Sequence, residues 1–328
     1  MKKPLHEQLQ ISLHEINEML LHIIQSDHEL QRSSVLYASV EQLIMAGGKR
    51  LRPIMAIVGG RFGTSERAHL AWKAAGLLEY MHMASLIHDD IIDDSPLRRG
   101  EQSLHAATDI GTAVHAGNYM IARALEWSSE DELIDENFYM GAELAALITE
   151  LCVGEYDQLQ HRFDFSMTLD QYLEKTKRKT ALLMGACMSA GARAAGADEA
   201  VANKLYEFGE ALGIAFQIHD DLLDFTSSSE QLGKPSGADL RTGNITLPII
   251  YALEDEEIRR QLLLLHRDTS EAEFDEAIDA VKQCAALDRS RQLAEQYTLK
   301  AQSIIDNFEG HPSIKDLQVL VSYFLKAG

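Results

Sequence analysis

Apolar residues recur at three- and four-residue steps along nearly the whole chain, the spacing that lines one face of an α-helix. Leu9, Leu13, Ile16, Leu20 and Ile23 predict an amphipathic helix over residues 5–25. A second helix runs from about Val35 to Met45 and stops at Gly47-Gly48, a helix C-terminal signal. Pro53 can open a third, as far as Phe62. Thr64-Ser65 then cap a long segment through Leu70, Ala74, Leu77, Met81 and Leu86 up to an acidic cluster, and Pro96 ends it. Helical patterns resume over 112–127 and 136–160. Another begins at Thr168, whose spacing to Gln171 fits a capping box, and runs past Lys179-Thr180 to Ala194, where Gly196 punctuates it. Residues 199–225, 248–265, 270–286, 288–308 and 313–326 also read as helical. Alternating Val/Ile/Thr runs bounded by turns are absent, so strands should be few. The polar, glycine-containing stretch from Thr226 to Thr246 reads as a loop over a site, because helical periodicity resumes directly after Pro248. The expectation is an all-α fold forming one domain over residues 1–328.

The acidic cluster carries the candidate chemistry. Asp89, Asp90, Asp93 and Asp94 fall within six residues, followed by Arg98 and Arg99. On a helix Asp89 and Asp93 share a face, where like charges repel unless a cation lies between them. Hard oxygen ligands at that spacing suit Mg2+, which keeps several waters and takes its remaining oxygens from phosphate. Alone, such a cluster is also what a solvated acidic helix end looks like. The pattern His-Asp-Asp-x-x-Asp, however, occurs twice, at 88–93 and at 219–224, each time ending an apolar helical stretch. On facing helices the two copies would set Asp89, Asp90, Asp93, Asp220, Asp221 and Asp224 around a shared Mg2+ cluster. A diphosphate is the natural bridging ligand, its charge offset by metal and by Lys or Arg. Basic candidates are concentrated at Lys49, Arg50 and Arg52, at Arg98 and Arg99, at Lys177, Arg178 and Lys179, and at Lys234.

Composition narrows the classes. A 46% hydrophobic content, six prolines and 25% charged residues fit a folded, helix-rich globule. The formal net charge of -21 argues against nucleic acid or an anionic membrane surface as a general partner. Cys152, Cys187 and Cys284 form no CxxC and no even framework, so neither disulfides nor a zinc site are indicated. The start Met1-Lys2-Lys3 lacks a signal-peptide apolar run, and no window approaches the ~18 apolar residues of a membrane span. A soluble, cytoplasmic protein is expected.

Five stretches taken together resemble a known family. They are Gly47-Gly48-Lys49-Arg50-Leu51-Arg52-Pro53, the first DDxxD with Leu97-Arg98-Arg99-Gly100, Lys179-Thr180, Phe216-Gln217-Ile218-His219-Asp220-Asp221-Leu222-Leu223-Asp224, and Gly233-Lys234-Pro235 through Thr246-Leu247-Pro248. In this order they are similar to the trans-isoprenyl diphosphate synthases. The resemblance implies an isoprenoid-synthase fold, a large helical bundle around a deep central cavity. It implies a prenyltransferase that condenses an allylic diphosphate such as farnesyl diphosphate head-to-tail with isopentenyl diphosphate. Asp89, Asp93 and Asp220 would ligate Mg2+ directly, with Asp90, Asp221 and Asp224 in or near the shell. Arg98, Lys179, Gln217 and Lys234 would hold the allylic diphosphate, with Thr180 among the substrate-binding residues. Lys49, Arg52, His82 and Arg99 would hold isopentenyl diphosphate without metal.

The residues before Asp89 bear on product length. Ala84 and Ser85, five and four positions earlier, are small and leave the way open to Met81 and Leu77. Close helix packing explains small residues equally well. By family analogy small residues here go with long products, hexa- or heptaprenyl chains for menaquinone, with a farnesyl- or geranylgeranyl-forming enzyme as the alternative. The wider resemblance is to large catalytic subunits of two-component synthases, which implies a homodimer or a heteromer with a small regulatory subunit. Asn118, Ala238 and Asn244 depart from residues that relatives carry. Three other readings compete. An HD-type phosphohydrolase would use His88 and His219 as ligands but leaves the basic clusters without a role. A terpene cyclase would carry a different second metal motif. A non-catalytic partner subunit would show eroded Asp motifs.

Overall fold

The computed structural model describes residues 3–98, 100–129, 134–135, 138–227 and 236–325. In chain order its helices are α1 (Leu5–Gln8), α2 (Leu13–Gln25), α3 (Val35–Met45), α4 (Leu51–Gly60) and α5 (Ala68–Ile92). There follow α6 (Leu104–Ala107), α7 (Ile110–Trp127), α8 (Met140–Gln160), α9 (Leu169–Thr176), α10 (Leu182–Ala194) and α11 (Glu199–Thr226). The last are α12 (Ala238–Arg241), α13 (Leu247–Ala252), α14 (Glu256–Leu262), α15 (Glu271–Gln283), α16 (Ala286–Ile305) and α17 (Ile314–Phe324). Strands among the described residues are limited to two antiparallel hairpins, Leu97–Arg98 with Glu101–Gln102 and Ile134–Asp135 with Phe138–Tyr139. No helix among the described residues is long and apolar enough to cross a membrane.

Local chemistry explains where the helices begin and end. Instead of one helix over 5–25, the chain breaks after α1, with Gln10 at φ 54° and Ser12 capping α2 by accepting from the Glu15 N–H. Ser12 and Glu15 have capping-box spacing, a signal that the apolar periodicity masks. Likewise 248–265 is two helices, because the Asp255 side chain caps α14 at the Glu257 and Ile258 N–H groups. The capping box of Thr168 and Gln171 is formed as expected. Pro53 sits in the first turn of α4 rather than opening it; N–H groups there lack helical acceptors anyway. Gly47 adopts φ 70° after α3, the left-handed conformation that ends helices.

The chain divides into two compact units, Met1–Ala146 with Cys187–Leu205, and Leu147–Ala186 with Tyr206–Gly328. In the first, α5 is buried almost all round from Ala74 to Ala84, which marks it as the central helix of that unit. Glycines let its neighbours approach: a Cβ on Gly191 would stand 1.9 Å from the Ala56 carbonyl oxygen, and one on Gly59 2.0 Å from that of Met188. In the second unit Ile214, Ile218, Leu222 and Phe225 form the apolar face of α11. They belong to one core with Leu240, Leu247, Phe274, Ile278 and Val281.

Candidate active site

In the first unit the carboxylates lie where α5 ends. Asp93 is the C-cap residue and its N–H still reaches the Asp89 carbonyl at 2.9 Å, so helical geometry places both side chains on one face. Asp89 is half-buried and Asp93 exposed. Asp90 differs. Only 4% exposed, it accepts from Arg98 Nε at 2.8 Å and from Nη2. Arg98 stands on the short hairpin that turns at Gly100, whose φ of 85° suits glycine. Arg99 lies outside the described residues.

The Lys49–Pro53 segment splits its cations between two tasks. Arg50, at φ 49°, is buried and structural: Nη1 bonds Glu79 Oε1 at 2.8 Å, Nη2 the Ile44 carbonyl at 2.6 Å and Nε the Asn17 Oδ1 at 3.1 Å. Arg52 instead donates from Nη1 to His82 Nε2 at 2.8 Å, while its Nε is buried with no hydrogen-bond partner among the described residues. Because a guanidinium only donates, His82 must accept at Nε2 and carry its proton on Nδ1. Burial pulls the Arg52 guanidinium below its ordinary pKa, with Glu79, Cys187 and Asp89 pulling the other way. Such a site gains from an incoming anion. Lys49 is exposed. Burial pushes the Cys187 thiol up to about 12, so it stays protonated and unreactive.

Beneath Asp89, Met81 and Ala84 are buried, while half-buried Ser85 turns its hydroxyl back to the His82 carbonyl at 2.8 Å. His88 packs on α7, where a Cβ at Gly117 would come within 2.3 Å of its ring. His219, 7% exposed, lines a small pocket with Leu222, Leu223, Arg291 and Glu295, and its Nδ1 is buried with no hydrogen-bond partner among the described residues.

In the second unit a hydrogen-bonded relay surrounds the other motif. Thr180 Oγ1 donates to Gln217 Oε1 at 2.8 Å, Gln217 Nε2 to Asp221 Oδ1 at 2.9 Å, and Tyr172 Oη to Asp221 Oδ2 at 2.7 Å. Burial raises Asp221 from 3.8 to about 6, against the opposing pull of those hydrogen bonds and of Lys175. Asp224, also buried, accepts the Asp239 N–H on Oδ2 at 3.1 Å, while its carbonyl accepts the Gly237 N–H at 2.8 Å. It thereby fixes the start of α12, which interrupts the expected loop; Lys234 and residues 228–235 lie outside the described residues. Asp220 is exposed.

Of the basic run, Lys177 pairs with Glu210 and Arg178 with Asp157 and Glu174, as structural surface ions. Lys179 Nζ reaches Glu155 at 3.0 Å and Gln158 at 3.2 Å. Residues 177–181 form a π-turn between α9 and α10, a distortion frequent at functional sites. Lys175, Tyr172 and Glu155 escaped the sequence reading. Lys175 donates to Asn244 Oδ1 at 2.9 Å and to the Ile245 carbonyl at 3.0 Å, which gives Asn244 a role that a lysine there would spoil by repulsion. Asn118 is exposed, and Ala238 opens α12.

Among the described residues no three His, Cys, Asp or Glu side chains are drawn into a ready-made cation cage. Carboxylate oxygens of Asp89 and Asp93 in the first unit, and of Asp220 in the second, are each hard donors of the kind that suits a divalent ion bringing water and phosphate oxygens of its own.

The family model for polyprenyl synthetase matches residues 33–281. The chain belongs to the polyprenyl synthetase family. It is a prenyltransferase with the all-α isoprenoid-synthase fold. Among its relatives, heptaprenyl diphosphate synthase component 2 of Geobacillus stearothermophilus is 38% identical over 97% of this chain and 98% of that protein. A crystal structure of heptaprenyl diphosphate synthase from Staphylococcus aureus superposes with TM-score 0.87 at 32% identity, covering 100% of this chain and 98% of that one. A polyprenyl synthase from Caulobacter crescentus, complexed with calcium and isoprenyl diphosphate, gives TM-score 0.85 at 31% identity over 99% of both chains. Among the described residues of the first unit, Arg52 Nε is buried without a hydrogen-bond partner, and at the end of α5 Asp89 is half-buried and Asp93 exposed.

Proposed function

We propose that this polyprenyl synthetase is a Mg2+-dependent, long-chain all-trans synthase that extends farnesyl diphosphate with isopentenyl diphosphate to hexa- or heptaprenyl diphosphate. The observation that carries the reading is the pairing, on one helix, of the Asp89–Asp93 head with the small and apolar Ser85, Ala84, Met81 and Leu77 behind it. A ligand with a metal-bridged diphosphate head and an apolar tail fits that order. Names of relatives support the long product and a second subunit: one similar protein is called component 2. A homodimer or a heteromer with a small regulatory subunit, a cytoplasmic location and a menaquinone side chain as destination belong to the same reading.

Mg2+ bound at Asp89, Asp93 and Asp220 would offset diphosphate charge and make it a leaving group. Asp90, Asp221 and Asp224 act through others: Arg98, Tyr172 with Gln217, and the start of α12 hold them in place. Arg98, Lys179, Thr180, Gln217 and Lys234 orient the allylic diphosphate. Lys49, Arg52, His82 and Arg99 hold isopentenyl diphosphate, and Arg52 has an unused buried donor for it. The allylic C–O bond breaks with its electron pair leaving on diphosphate. The isopentenyl double bond then forms the new C–C bond, and the proton lost from isopentenyl C2 goes to the departing diphosphate. Metal held by the carboxylates would offset the charge of the departing diphosphate, whereas the diphosphate that must stay meets only Lys, Arg and His.

The test is product sizing. With Mg2+, farnesyl diphosphate and isopentenyl diphosphate, with and without added cell extract, the protein releases diphosphate and makes a ladder ending at six or seven units. Absence of prenyl product under both conditions, with plain phosphate-ester hydrolysis instead, would overturn the reading; a ladder ending at three or four units would keep the class and move the product.

A further inference from the structure

The chain carries 51 Asp and Glu against 30 Lys and Arg, so an exposed arginine without a carboxylate partner is a local exception. Two such arginines flank one turn of the second unit. Between α14 and α15 the sequence reads Arg259-Arg260-Gln261-Leu262-Leu263-Leu264-Leu265-His266-Arg267. Its four leucines divide. Leu262 and Leu265 are buried with Ile258 in the core that also holds Phe274 and Ile278, and they anchor the turn. Leu263 and Leu264 stay 57% and 75% exposed. A hydrogen-bonded frame holds them out in water. The Leu263 N–H donates to the Arg259 carbonyl at 3.0 Å and the Leu264 N–H to that of Gln261 at 3.2 Å. Beyond them the His266 N–H donates to Thr269 Oγ1 at 2.8 Å.

Charge around this apolar tip is of one sign. Arg259, Arg260, His266 and Arg267 are exposed. Arg259 and Arg267 form no ion pair among the described residues, and Arg260 reaches only the exposed Glu256 at 3.4 Å. Each outer leucine lies four positions after an arginine, Leu263 after Arg259 and Leu264 after Arg260, so cation and apolar side chain share a face. Most nearby acids are already engaged. Asp255 caps α14, Glu273 caps α15, Arg241 takes Glu271 and Asp275, and Arg289 takes Glu254. Glu257 and Asp268 are the acids of 254–275 left without a side-chain partner.

We propose that the Leu263–Leu264 turn docks the protein on an anionic lipid surface. The two leucines enter the apolar boundary while Arg259, Arg260 and Arg267 meet lipid phosphates. Two leucines fall well short of the ~800 Å2 that each side of a stable protein interface buries, whereas a bilayer asks only for side chains that can be inserted. The overall charge of -21 does not cancel the attraction, because exposed charges are screened beyond ~8 Å at physiological salt. The proposal stands on this surface and goes beyond the synthase reading, under which the long-chain product is an amphiphile that partitions into the same phase.

Flotation of the full-length protein with vesicles, in EDTA and without substrate, tests it. Wild type should bind vesicles of phosphatidylcholine mixed with phosphatidylglycerol about tenfold more tightly than phosphatidylcholine alone. Leu263→Ser combined with Leu264→Ser should weaken binding to the mixed vesicles about tenfold or more. Arg259→Gln combined with Arg267→Gln should erase the preference between the two vesicles. Thermal unfolding of both variants should match wild type, since all four positions are exposed. No flotation of wild type, equal flotation on the two vesicles, or undiminished flotation of the folded leucine variant overturns the proposal. If wild type ignores vesicles and the leucine variant turns a dimer into a monomer, a second copy of the chain covers the turn instead. Because no substrate enters the assay, its failure leaves the synthase reading untouched.

Discussion

Asp90 at the end of α5 and Asp221 in α11 hold the same place in the same motif, and both are buried, yet their partners differ in kind. Asp90 faces a guanidinium, that of Arg98, and the burial of one charge is matched by another. Asp221 is hydrogen-bonded by a phenol and an amide, neither of them charged, and burial raises its carboxyl to about 6 against the pull of those bonds and of Lys175. In both motifs a neighbouring aspartate, Asp89 or Asp220, is the more solvated group. The motif letters therefore conceal a division of labour between carboxylates that stay accessible and carboxylates that hold the frame. Lys49–Pro53 repeats the lesson in cations: Arg50 is consumed by Glu79, and Arg52 keeps a donor in reserve.

The largest expected effect separates the accessible group from the frame. Asp89→Ala or Asp220→Ala should lower turnover by about 10^3-fold or more, with thermal unfolding unchanged. Near-normal turnover in either would move that residue out of the metal shell.

Next comes the arginine pair. Arg50→Met leaves Glu79 buried without its ion, which should cost about 3–5 kcal/mol in denaturant unfolding. Arg52→Met should leave stability near wild type and raise KM for isopentenyl diphosphate roughly tenfold to a hundredfold, as expected for a lost charged hydrogen bond. Equal loss of stability in the two variants would erase the distinction between them.

The smallest effect is a pH dependence at Asp221. Its folded carboxyl is raised from 3.8 to about 6, so the stability associated with the protonated form is full below the ordinary carboxylate range and is lost as pH rises through about 6. Asparagine mimics the protonated form. In EDTA, Asp221→Asn should gain on wild type by about 1–3 kcal/mol between pH 5 and pH 7.5. A constant difference across that range would mean that burial does not control this group.

Much of the helical plan and the identity of the charged motifs could be read from the chain, because periodicity, capping spacings and clustered Asp are local signals. The break at Gln10 and the cap at Asp255 were local too, but weaker than the apolar rhythm around them. What stayed hidden was long-range. Arg50 meets Glu79 across 29 positions, Tyr172 meets Asp221 across 49, and Lys175 meets Asn244 across 69. A basic run looks uniform until the fold brings acids to Lys177 and Arg178. Arg99 and Lys234 remain assignments of the family resemblance alone.

We propose that Asp89 and Asp220 take up Mg2+ only together with a diphosphate; among the described residues no ready-made cage of three ligands is present. Titration calorimetry of Mg2+ with and without an unreactive thio-analogue of farnesyl diphosphate tests it most directly. The account predicts weak binding alone, tight binding with the analogue, and loss of the tight phase in Asp89→Ala and Asp220→Ala. Tight Mg2+ binding without any diphosphate, or a tight phase indifferent to both substitutions, would contradict it.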